Sequence, residues 1–171
     1  MPFWRKKANE AAGTALERTI RVAMPDATEE SATIVAAVAG LLLQVAYEDR
    51  PYLDSEEAYI RDELARVHGL RPGSIDAICA VLRQHAPVIA TIEAREYAKT
   101  LVDRTDKEFR LGVLDMLVDV AAADDSISVV ETNLIRRIAD RLGLSQADVN
   151  ASQARHRDKL AALRASQPPR G

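Results

Sequence analysis

One pattern occurs twice in this chain and limits what it can fold into. Val45–Leu70 reads VAYEDRPYLDSEEAYIRDELARVHGL, and Val120–Leu144 reads VAAADDSISVVETNLIRRIADRLGL. Each is the end of an apolar helix, an acidic turn, a second helix and a glycine stop. In the second copy Leu134, Ile135, Ile138 and Leu142 recur at helical spacing and give one buried stripe. Gly143-Leu144 has the form of a left-handed cap with a hydrophobic follow-on contact. Val45-Ala46 aligns with Val120-Ala121, Asp49 with Asp124, Leu53 with Ile127 and Glu57 with Glu131. Ile60 and Leu64 align with Leu134 and Ile138, and Gly69-Leu70 with Gly143-Leu144, with one extra residue near Arg50-Pro51. Two related helical hairpins imply a duplicated core rather than a solenoid, for which two copies are too few.

The rest of the chain is also helical by pattern. Residues 3–23 read as a helix, with Leu16, Ile20 and Ala23 to one side. Asp26 or Thr28 can cap the next, 28–47, which is apolar on most sides and belongs in the centre. Its apolar run, Ala32–Tyr47, is shorter than the ~20 residues that span a bilayer. Pro87 should end or kink the helix that starts at Ser74. Thr105 and Glu108 have capping-box spacing, as do Ser128 with Glu131, Ser145 with Asp148 and, in variant form, Asp54 with Glu57. The expected core includes Val38, Leu42, Leu64, Leu114, Leu117, Leu134 and Ile138. No stretch alternates long enough to be a strand. The expectation is all-α: a single compact helical domain of about seven helices with an internally duplicated helical-hairpin core. Its parts are an N-terminal helical arm at 1–24, the helical domain at 25–164 and a disordered tail at 165–171.

Composition removes several functions. Aromatic residues are 4% of the chain against 47% hydrophobic overall, so the core must be aliphatic and alanine-rich. The net charge of −3 does not suggest nucleic acid, and the basic last helix lacks the interleaved aromatics of such a surface. The lone Cys79 excludes an internal disulfide and suits a reducing cytoplasm; within AICAVL it reads as a small buried hydrophobe. His68, His85 and His156 are scattered, with no zinc or di-metal spacing. No glycine-rich phosphate loop occurs, and no EF-hand loop. The opening MPFWRKKANEAAG is basic without the apolar run of a secretory signal. Its Phe3-Trp4 and Arg5-Lys6-Lys7 are a candidate contact with an anionic membrane surface, against simple packing on the domain.

The acidic turns are the one repeated polar feature. Asp49, Glu57, Asp124, Asp125 and Glu131 are the candidate ligands. An aspartate in the turn and a glutamate one turn into the helix can converge on a point. Oxygen ligands of this kind suit calcium or magnesium. Capping explains the glutamates equally well, since acids at helix starts are favoured by the helix dipole.

The pattern V-A-x-A-D-G-x-I-x-x-x-E followed by a helix ending G-L resembles the TerB-like (tellurite-resistance B) family. Val120-Ala121-Ala122-Ala123-Asp124, Ile127 and Glu131 carry the likeness, which runs over about 32–160. Asp125 stands where the family has glycine, and Arg50 stands there in the first copy. The resemblance implies a non-enzymatic, cytoplasmic stress-response protein linked to tellurite resistance, with acids that bind a divalent cation. The alternative is a metal-independent module that docks another protein, one at a membrane included.

Overall fold

The computed structural model describes residues 13–48, 54–123 and 127–167. Among them the regular structure is all helical: α1 (Ala15–Ala23), α2 (Glu29–Tyr47), α3 (Asp54–Ala65), α4 (Ile75–Gln84), α5 (Ala94–Arg104), α6 (Lys107–Ala121), α7 (Val129–Arg141) and α8 (Gln146–Ala165). α4 and α5 belong to one helical run, Ile75–Arg104, so the described residues form 7 rods. The run bends at His85, whose φ of −108° and ψ of 12° leave the helical region. Pro87 is the cause: it has no N–H to donate, and its ring crowds the carbonyl four residues back. Beyond it the chain widens into a π-helical turn, Ile89–Glu93. The buried side chain of Gln44 reaches across from α2 and donates to the Ala90 carbonyl at 3.2 Å.

Local chemistry sets most helix ends. Thr28 caps α2 by accepting from Ser31 N–H at 3.1 Å. Ser128 with Glu131 and Ser145 with Asp148 form the expected capping boxes. Gly143 has φ 71°. Its N–H donates to Asp140 and that of Leu144 to Ala139, the paired bonds of a Schellman end. Gly69, with φ 86°, is likewise left-handed, after α3.

Two boundaries differ from expectation. The expected helix at 3–23 is interrupted at Gly13, which has φ 95°, and α1 starts at Ala15 behind a capping box of Thr14 with Glu17; residues 3–12 lie outside the described residues. α6 is capped by Asp106, which accepts from Phe109 N–H at 2.8 Å; Thr105 instead turns back to the Leu101 carbonyl at the end of α5. Thr105 and Glu108 therefore form no box.

α2 is the hub, packed against α1, α3, α5, α6 and α7. Ala36, Ala37, Leu41, Leu43 and Val45 are fully buried along it. Small residues let α5 come close: a Cβ on Gly40 would stand 2.4 Å from Cδ2 of Tyr97. The Tyr97 hydroxyl is shared with Thr14 Oγ1 at 2.8 Å and donates to Glu93 at 2.9 Å. α1 belongs to this core, since Leu16 and Ile20 are fully buried. Of the expected core residues, Leu42, Leu64, Leu114, Leu117, Leu134 and Ile138 are buried. Val38 is only half-buried, because it lines an open groove. Cys79 is buried as expected, and burial pushes its thiol up.

Candidate functional site

The direction of the helices fixes where the two acidic connections enter and leave the fold. Tyr59, in the second turn of α3, donates from its hydroxyl to Asp119, two residues before α6 ends, at 3.3 Å. The start of α3 therefore lies beside the end of α6. The connection into α3 and the connection out of α6 meet the described helices at the same end of the molecule. Asp49, Asp124 and Asp125 fall in those connections and lie outside the described residues.

The structure describes the other two candidates, and they have different surroundings. Glu131 is 1% exposed. Its Oε2 accepts from Ser128 N–H at 3.0 Å, while Ser128 Oγ accepts from Glu131 N–H at 3.0 Å. Glu57 makes no such cap. Its Oε1 accepts from Arg61 Nε at 3.2 Å and its Oε2 from Arg83 Nε at 3.0 Å, with Arg83 Nη2 also on Oε1. The Arg83 guanidinium beside it, reinforced by Arg61, holds the Glu57 carboxyl below its ordinary range. Arg61 also donates to Asp76 at 2.6 Å.

The expected Asp54–Glu57 box is absent: Asp54 already lies in α3, and the Glu57 oxygens turn to Arg61 and Arg83. Glu131 is third in α7. Glu56 is also 1% exposed. Glu57, at 8% exposed, is buried as well, and it stands three residues before the buried Ile60 as Glu131 stands three before the buried Leu134. No group of three or more His, Cys, Asp or Glu among the described residues forms a ready metal shell.

A second polar cluster was not foreseen in the sequence. Asp115 Oδ1 accepts from Ser152 Oγ at 2.6 Å and from Arg155 Nη2 at 2.8 Å. One turn on, Asp119 meets His156 Nδ1 at 2.7 Å and Lys159 Nζ at 3.5 Å, besides Tyr59. Burial, with Asp119 close by, pushes the Tyr59 hydroxyl well up. Rising numbers on α6 meet rising numbers on α8, so the two helices run parallel. The available signal was a pair of i, i+4 ladders, Asp115/Asp119 against Ser152/His156 and Arg155/Lys159.

On the molecule's side between α2, α6 and the end of α3 lies an open groove of about 640 Å³. Ile34, Val35, Val38, Val67, Phe109 and Met116 supply much of its apolar lining, with Glu63, Arg66 and His68 at its polar edge.

Residues 35–154 match the family model described as Tellurite resistance protein TerB, well over half of the chain. No curated protein and no solved structure matches.

Proposed function

The chain belongs to the TerB family, and from that premise we propose a non-enzymatic stress-response protein of the tellurite-resistance type, cytoplasmic, whose acidic end takes up a divalent cation. The observation that carries this reading is the shared end: both acidic connections enter it, and each is followed by a helix with buried glutamate in its first turn, Glu56 and Glu57 in α3 and Glu131 in α7. Asp49, Asp124 and Asp125 belong to those connections by sequence. A donor set of carboxylates and backbone carbonyls, with no thiol or imidazole, fits calcium or magnesium. Glu57 has a different role in this reading. Both of its oxygens accept from guanidiniums, so it positions α3.

The cation's own contribution is charge: it neutralises acids that otherwise repel one another across the end of the fold. Calorimetric titration with calcium, magnesium, manganese and zinc tests the reading. Heat of binding is expected for the unmodified chain, its loss in Asp124→Asn with Glu131→Gln, and its reduction in Asp49→Asn. Glutamine still caps at 131, so α7 should survive the change. Absence of heat with all four ions would overturn the proposal.

The groove favours a second reading, a metal-independent docking module. Its apolar width and paired methionines, Met24 and Met116, suit an apolar partner segment. Partner capture that is indifferent to chelator and lost in Val38→Glu would select it.

A further inference from the structure

The seam between α6 and α8 has a period of one helical turn, and α8 outlasts it. The face of α8 that meets α6 carries Val149, Ser152 and His156. At the same spacing come Leu160 and Leu163. α6 ends at Ala121, so those two leucines run past their neighbour and are 39% and 53% exposed. Every residue of 157–167 is exposed. The basic ladder continues in the same way. Arg155 meets Asp115 and Lys159 meets Asp119, whereas Arg164, the next basic residue along, meets no acid among the described residues.

We infer that this end of α8 is a docking stripe for an acidic amphipathic helix of another protein, laid on as a continuation of α6. What α6 presents to α8 defines the chemistry: carboxylates one turn apart beside apolar side chains. The incoming helix sets apolar residues on Leu160 and Leu163 and a carboxylate on Arg164. A second copy of the same helix does not meet this requirement. It would bring Arg157, Lys159 and Arg164 against themselves, with Asp158 as the one opposing charge. Basic residues flank the leucines on both sides, so their stems extend the apolar strip while their heads select against basic partners. The strip is short, so binding is weak, fast and salt-sensitive.

The test uses the full chain and two labelled synthetic helical peptides, with leucines at i, i+3 and i+7 flanked by glutamate in one and by lysine in the other. Fluorescence anisotropy should show the glutamate peptide binding about tenfold or more tighter than the lysine peptide at low salt. Leu160→Ser with Leu163→Ser, and separately Arg164→Glu, should each weaken that binding by about tenfold with the circular dichroism unchanged. Equal binding of the two peptides, or variants that bind as the parent does, would overturn the inference. So would co-sedimentation with phosphatidylglycerol vesicles that is lost in the same variants without any peptide binding. A dimer in sedimentation velocity that dissolves in the double variant would assign the stripe to a second copy and overturn it as well.

Discussion

At Gly40 an added methyl group would stand 2.4 and 2.5 Å from two carbons of the Tyr97 ring, well inside contact distance. α2 and α5 can meet that closely only because one of them lacks a side chain there. Gly40→Ala should therefore cost about 1–3 kcal/mol, read as a lowered urea midpoint. An unchanged midpoint would mean that the two helices stand further apart. Glu57 gives a prediction of a different kind. Its folded carboxyl titrates below the ordinary 4.5, held there by Arg83. Its contribution to stability is therefore complete above that value and is lost as pH falls through the lower folded one. Glu57→Gln should be less stable than the parent at neutral pH, with the gap closing in acid below about 4.5. A gap independent of pH would assign the loss to packing. Neither role was legible in the sequence. Gly40 is an unmarked glycine in an apolar run, and the deciding partner of Glu57 lies 26 residues away.

Helix ends were legible wherever the signal is local. Ser128 and Ser145 cap as their spacing predicts, and Gly143 stops α7 as predicted, whereas α3 ends at Ala65, four residues before Gly69. Ser128→Ala should lose about 1 kcal/mol of stability, because the N–H of Glu131 loses its acceptor. Glu131→Gln should keep most of it, which chemical denaturation of both variants can check. Where two residues compete for one end, spacing alone does not decide. Thr105 and Asp106 are both good caps, and the outcome turned on Thr105 staying in extended backbone at the end of α5. The π turn at Ile89–Glu93 was not legible either. Pro87 marks the break, but the widened turn that follows also receives a long-range hydrogen bond, from Gln44.

The single helical domain and the TerB likeness were readable because they rest on patterns that recur through the chain. The role of the last helix was not, because a basic face reads the same whether it meets water or a carboxylate ladder. Asp119 joins three helices, through Tyr59 of α3 and through His156 and Lys159 of α8. Asp119→Ala should lower stability by about 1–3 kcal/mol, since it strips partners from two largely enclosed groups. It should also speed trypsin cleavage at Arg155 and Lys159; unchanged digestion would mean that Asp119 does not hold this part of α8. Two of the chain's four tyrosines, Tyr59 and Tyr97, have their hydroxyls pushed up by burial. In alkali the folded form resists a deprotonation that the unfolded chain undergoes near 10, so stability drains away as pH climbs past that value. The fold thus carries its own optical gauge. Tyrosinate absorbance from this pair should stay dark through ordinary phenol titration, then switch on in one cooperative step with the collapse of the helical signal.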